Sequence, residues 1–250
     1  LDRLSGKTIF DYKKKKAPVS KIPGEITAAY QPIIKTPEPF ANQFFSSVDI
    51  TDISKSSSEY VASKLEEMDY GFFVPSSLSR KTIIFNWMGG AEWMGASINH
   101  DLGIMYITEV FKDQNGFPAS KPPWGTLSAL NLNNGKIIWQ VPFGEFLDLD
   151  INQTIKTGSP NFGGATGTAG DLIFATGTID KKVRAFNSLN GKEVWEYSLT
   201  YIGSNPPTIY SHENEQYVLI TSTGSLSLNR QFPEKAKFGN LLYSFKIKKE

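Results

Sequence analysis

The chain has no cysteine among its 250 residues. Disulfides, zinc–thiolate sites and cysteine nucleophiles are therefore excluded, while the compartment stays open, because many exported proteins also lack disulfides. Histidine is nearly as scarce. His100 and His212 are far apart, lack metal-ligand spacing and lie beside turn residues, which reads as surface positions without chemistry. No apolar run is long enough to cross a bilayer, and no signal peptide is present. The G-x-S-x-G elbow, H-E-x-x-H and the EF-hand loop are missing as well. Charge of one sign is also lacking: the net charge is +1, so charge gives no reason to expect nucleic acid or anionic lipid as a partner. The basic run Lys13 to Lys16 is the one local excess, and its place between turn-like segments favours a solvated loop over a binding patch.

What the chain does have is a recurring phrase. ALNLNNGKIIW (Ala129 to Trp139) and AFNSLNGKEVW (Ala185 to Trp195) are two copies, and LDRLSGKTIF (Leu1 to Phe10) is a weaker third. Each reads apolar strand, Asn-Gly or Ser-Gly turn, Lys, then a strand bearing a large aromatic. Glycine after asparagine supplies the positive φ of a tight hairpin, so Asn134-Gly135 and Asn190-Gly191 predict hairpins. Four-stranded units repeated at this spacing bury their faces against stacked neighbours, which is the logic of a β-propeller. Phe10, Trp139 and Trp195 are then expected to pack between adjacent blades.

Between the phrases, residues 17–40 carry five prolines and read as an extended connector pinned to a surface. Ser56-Ser57-Ser58-Glu59 fits a capping box, and Tyr60, Val61, Lys64, Leu65 and Met68 share one helical face, which predicts one short helical insertion. Strand signals then dominate. Thr82 to Trp87, Ala96 to Asn99 and Ile104 to Thr108, with outer strands at Gly125 to Leu132 and Lys136 to Val141, make a first blade. A second spans about Gly163 to Leu199, and a third uses Thr208 to Ser211, Tyr217 to Thr221 and Leu241 to Ile247, interrupted by a loop near Leu226 to Phe238. The expected fold is all-β: roughly three blades and a partial one, at ~40–50 residues per blade. Leu1 falls inside a repeat phrase with no initiator Met, so the chain is expected to continue upstream, while the strand running into Lys248 to Glu250 reads as a genuine end.

Two features compete for a functional reading. The glycine-dense stretch Gly158 to Gly177 has neither the Walker nor the dinucleotide spacing, so strand-and-turn glycines are the favoured account; close approach of backbone to a flat ligand stays open. Trp93, beside glycines at the start of an inner strand, suits a core role and a ligand-lining role equally, since inner strands line a propeller's axial channel.

The phrases LDRLSGK, PGEITAAYQP, FFVPSSL, GGAEWMGAS, PPWGTLSALNLNNGKIIWQVPFGE and GSPNFGGATGTAGDLIFATGTIDKKVRAFNSLNGKEVW, in this order, resemble the C-terminal part of the pyrroloquinoline quinone (PQQ)-dependent dehydrogenases, glucose dehydrogenase type. Quinate and polyol dehydrogenases are related. The resemblance implies an eight-bladed propeller, of which residues 1–250 would be the C-terminal portion of one domain, about three and a half four-stranded blades, with residues 13–70 a Pro-rich connector and helical insertion within it.

The resemblance implies oxidation of a sugar, polyol or alcohol hydroxyl at PQQ with Ca²⁺ as Lewis acid, electrons passing to a quinone or cytochrome. It places the catalytic Asp, the quinone-contacting Lys and the Ca²⁺ ligands before Leu1, so no catalytic or metal residue is expected within the chain and the chain alone would be inactive. The cofactor-binding positions it carries over are Trp93, Thr108, Asn161, Phe162 and Gly163. Departures from the family pattern are Thr108-Glu109 where an Asn bonds the quinone, Trp93-Met94-Gly95 for Trp-Gly-Gly, and Gly163-Gly164-Ala165 for Gly-Gly-Pro. The implied partners are a sugar or alcohol substrate, a quinone or cytochrome acceptor and the N-terminal propeller half, with no nucleic acid. The implied location is periplasmic, with attachment to the inner membrane through a preceding N-terminal region as an option. A non-catalytic propeller scaffold or binding protein is the alternative, motivated by the altered rim; the long connector and helical insertion speak for the dehydrogenase lineage.

Overall fold

The structure is a computed structural model that describes residues 1–82, 98–99, 104–105, 113–146 and 156–246. The chain divides into two compact units, one of Leu1–Met88, Phe111–Lys121 and Leu132–Lys136, the other of Gly89–Val110, Pro122–Asn131 and Ile137–Glu250.

In the first unit, β1 (Tyr12–Lys16) pairs antiparallel with β2 (Tyr30–Ile34). The lysine run is therefore a strand, not the loop expected, and residues 30–34 of the Pro-rich connector are its partner; a run of identical residues hides the alternation that marks a strand. The opening phrase forms its turn, with Asp2 and Lys7 joined by Asp2 N–H to Lys7 O at 2.8 Å, but no strands flank it. Phe10, at the end of the phrase, is half-buried.

A 3₁₀ turn at Ser47–Asp49 precedes α1 (Lys55–Glu66). The helix begins earlier than its Ser56–Glu59 signal suggests. Ser54 is the N-cap, its Oγ accepting the Ser57 N–H at 3.1 Å, and Glu59 pairs with Lys55 at 3.6 Å instead of reaching back. Val61 and Leu65 pack with Phe45 and Ala119 to form this unit's core. Tyr60, at 40% exposure, stays outside it. After the helix, β3 (Met68–Asp69) pairs parallel with β4 (Lys81–Thr82), so Thr82 belongs to this small sheet and not to the first blade; residues 83–97 lie outside the described residues.

The second unit stacks three antiparallel meanders. β5 (Ile98–Asn99), β6 (Ile104–Met105), β7 (Thr126–Asn131) and β8 (Lys136–Pro142) form one sheet in that order. β9 (Ala165–Gly167), β10 (Leu172–Ala175), β11 (Lys182–Asn187) and β12 (Glu193–Ser198) form the next, and β13 (Thr208–His212), β14 (Glu215–Ser222) and β15 (Leu241–Lys246) a three-stranded third. The segment before β15, expected to be a loop, carries a second helix, α2 (Leu226–Gln231).

Apolar side chains bury themselves between successive sheets. Leu127, Ala129, Trp139 and Phe143 of the first meet Ile173, Ala175 and Phe186 of the second. Val183 and Leu199 of the second meet Val218 and Ile220 of the third. Trp139, buried, donates its indole N–H to Ser188 O at 2.9 Å across this junction. Trp195 is 36% exposed, yet its ring meets Phe245 of β15 edge-on at 5.2 Å. Both phrase-ending tryptophans therefore bridge sheets, as expected. Gly135 and Gly191 hold the positive φ assigned to them, at 69° and 70°. The second turn is longer than a two-residue hairpin, because Asn187 Oδ1 caps the amides of Leu189 and Asn190 and closes an Asx-type loop.

Candidate functional site

Of the sequence-predicted site residues, Trp93 and Thr108 lie outside the described residues; Asn161, Phe162 and Gly163 lead into β9. Asn161 is buried and bridges antiparallel to Thr178. Phe162 donates its N–H to Gly177 O at 3.1 Å, and Thr176 donates to Gly164 O at 3.3 Å. A Cβ on Gly163 would run into the carbonyls of Thr176 and Gly203, and one on Gly177 into the backbone of Gly163. The glycine-dense stretch is thus lined by its own backbone. Strand-to-strand contact accounts for these glycines, and a phosphate cradle is not formed.

Thr178 is where this segment meets the buried charge of the unit. Its Oγ1 donates to Asp180 Oδ1 and accepts from Arg184 Nη1 at 3.3 Å. Arg184 and Asp180 form an ion pair with both side chains out of solvent. Ser159 Oγ accepts the Ile179 N–H at 3.3 Å, so the segment of residues 159–161 is tied to residues 178–179 by side chain as well as backbone. The arginine also reaches Glu193 at 3.4 Å and Glu196 at 3.9 Å, and Lys182 pairs with Glu196 at 2.8 Å.

Burial works against the Arg184 charge, but hydrogen bonding and attraction from Asp180, then attraction from Glu193 and Glu196, outweigh it and hold its pKa above the ordinary value. Burial pushes the Glu193 carboxyl up, with Arg184 opposing. The hydrogen bond from Lys182 holds Glu196 below the usual range. Sequence reasoning missed this network, since Asp180 and Arg184 look like solvated charges around a turn. The one available signal was a charged pair beside the buried run Val183–Phe186.

His212 is an exposed side chain 3.7 Å from Glu213, in keeping with a surface position; His100 lies outside the described residues. Among the described residues no group of three or more His, Cys, Asp or Glu side chains is arranged to hold a metal ion. No helix among them is long and apolar enough to cross a membrane. An open cleft of about 430 Å³ in the first unit is lined by Ala17, Pro18, Gln31, Phe73, Val74 and Pro75, among others, and not by Asn161, Phe162 or Gly163.

The propeller profile described as "PQQ: Glucose/ethanol/alcohol dehydrogenase, beta-propeller domain" matches residues 1–110 and 107–218. The chain belongs to this family. Its three stacked meanders are propeller blades, and the fold is a partial β-propeller with few helices. Among curated proteins, the family member is 40% identical over 131 residues to a probable quinate dehydrogenase (quinone) of Xanthomonas campestris pv. juglandis, covering 49% of this chain and 16% of that protein. It is 31% identical over 151 residues to quinoprotein glucose dehydrogenase A of Acinetobacter calcoaceticus, covering 58% and 18%. The chain thus spans less than a fifth of these relatives' length. Among solved structures it is similar to a europium-containing methanol dehydrogenase, at 19% identity and a TM-score of 0.49, over 66% of this chain and 34% of that one.

Proposed function

We propose that the chain is the C-terminal portion of a PQQ-dependent dehydrogenase that oxidises a sugar, polyol or alcohol hydroxyl and passes the electrons to a quinone or cytochrome. The observation that carries this reading is the family match over residues 1–218, which takes in the connector and rim phrases as well as the repeats. Relatives are described as acting on quinate, glucose and glycerol, which favours a polyhydroxylated substrate.

The Asn161 carboxamide carries N–H groups of the kind that could donate to a quinone oxygen, and the adjacent Phe162 is half-buried. Asn161 would bond the PQQ edge, with Trp93, Thr108, Phe162 and Gly163 as the other rim positions of the proposal. When bound, the quinone supplies the two-electron oxidation. This chain's own part is to hold that rim: the Thr178–Asp180–Arg184 network fixes the strand that carries Asn161. The described residues offer no donor set for Ca²⁺, so no step is assigned to the ion here. The general base and the metal ligands of the proposal belong to the N-terminal propeller half, and the proposed location is the periplasm.

The test is to reconstitute the full gene product with PQQ and Ca²⁺ and assay glucose, quinate and simple alcohols against a dye acceptor. Turnover with at least one substrate class, and weaker PQQ retention in Asn161→Ala, is the expected result. PQQ-independent behaviour, or an upstream reading frame without a propeller half, would favour the scaffold reading.

A further inference from the structure

We propose that the outer face of the β1–β2 ribbon docks on an anionic phospholipid surface. Residues paired across an antiparallel ladder share a face. The register pairs Tyr12 with Ile34, Lys14 with Pro32 and Lys16 with Tyr30 on one face, and Lys13 with Ile33 and Lys15 with Gln31 on the other.

The two faces have different fates. Lys15 lies over the Phe72 ring at 4.4 Å and the Phe44 ring at 5.4 Å, and Gln31 and Ile33 on its face are half-buried, while Lys13 and Lys15 themselves stay exposed. The other face is bare. Tyr12, Tyr30 and Ile34 are 48%, 57% and 51% exposed, and Lys14, Lys16 and Pro32 beside them are exposed too. A solvated strand face normally carries polar side chains. This one carries two tyrosines and an isoleucine interleaved with two lysines, has no carboxylate, and neither lysine forms an ion pair among the described residues.

Aromatic rings with lysines beside them are the composition of a membrane–water interface: the rings sit at headgroup depth and the ammonium groups stay in the anionic layer. The charge agrees. Residues 11–35 hold six lysines against Asp11 and Glu25, a local excess of +4 in a chain whose net charge is +1. An acidic polypeptide would meet the charge but gives no reason for exposed Ile34 and the two tyrosines. Lysines on a ribbon also blunt edge pairing, but that role does not call for exposed apolar neighbours either.

The experiment is co-sedimentation of the full chain with sucrose-loaded vesicles, of phosphatidylcholine alone or with phosphatidylglycerol added. Binding to the anionic vesicles alone, falling with salt, is expected. Lys14→Gln with Lys16→Gln should lower the partition coefficient about tenfold or more. Tyr12→Ser with Tyr30→Ser should lower it severalfold at unchanged salt dependence. Lys136→Gln, outside the ribbon, controls for loss of charge as such, and circular dichroism confirms that each variant folds. Equal binding to both vesicle types, or loss in Lys136→Gln equal to that in the ribbon variant, would overturn the proposal. So would retention on immobilised polyglutamate without vesicle binding, which would assign the ribbon to an acidic polypeptide.

Discussion

Trp139 on β8 and Gly191 in the turn after β11 are matched in shape. A Cβ on Gly191 would lie 2.6 Å from Cε3 of the indole, whose N–H bonds Ser188 O at 2.9 Å. The end of one phrase therefore closes over the turn of the next copy.

Trp139→Ala should cost about 3–5 kcal/mol, the usual range for emptying a buried aromatic site. Gly191→Ala combines a left-handed backbone worth about 1–2 kcal/mol with overpacking of about 1–3 kcal/mol. In the Trp139→Ala background only the backbone part should remain. Denaturant unfolding of the parent, the two single variants and the double variant in a double-mutant cycle measures this coupling; strict additivity would contradict the match.

Removing one partner of the buried Asp180–Arg184 pair leaves an uncompensated charge. Arg184→Ala is expected to destabilise by about 3–5 kcal/mol. Asp180→Leu with Arg184→Met should recover much of that loss, because an apolar pair has no desolvation penalty. Thermal unfolding decides between this and a charge network that is net stabilising.

Glu193 gives a prediction of opposite sign. Burial raises its folded-state pKa, so its ionised form opposes folding above that pKa, and the opposition fades as pH falls and the carboxyl takes a proton. Glu193→Gln should therefore melt higher than the parent at neutral pH, with the gap closing in the acid range. Glu196, whose pKa is lowered chiefly by Lys182, should behave the other way: its contribution is present at neutral pH and lost as pH falls through its folded pKa. Melting curves of both Gln variants from neutral to acid pH test the pair of signs.

At the head of α1, Ser54→Ala should cost about 1 kcal/mol, because Ser54 holds the cap hydrogen bond. Ser56→Ala should stay within about 0.5 kcal/mol, as expected of an exposed site. Urea titration separates the two; equal losses would restore Ser56 as the cap.

The β-rich core was legible because it is written in local signals: Asn-Gly turns, apolar alternation and a closing tryptophan, each repeated. Trp139 could be assigned to a junction between sheets from its place in the phrase alone. Other features depend on partners distant in sequence. Lys13–Lys16 becomes a strand only through residues 30–34. Asp180 and Arg184 become a buried pair only in the folded unit, where Thr178 and Glu193 also reach the arginine. The Asn161 segment was found through family resemblance; its ties to Thr178 have no counterpart in the local sequence.

The third sheet stops at β15, which has β14 as its one bonded neighbour among the described residues. Among the described residues no strand pairs with its other edge, and Leu242 of β15 is 64% exposed. Such a rim behaves like an open zip. An extended segment of another molecule can engage it, so purified material should smear towards assemblies on size-exclusion chromatography.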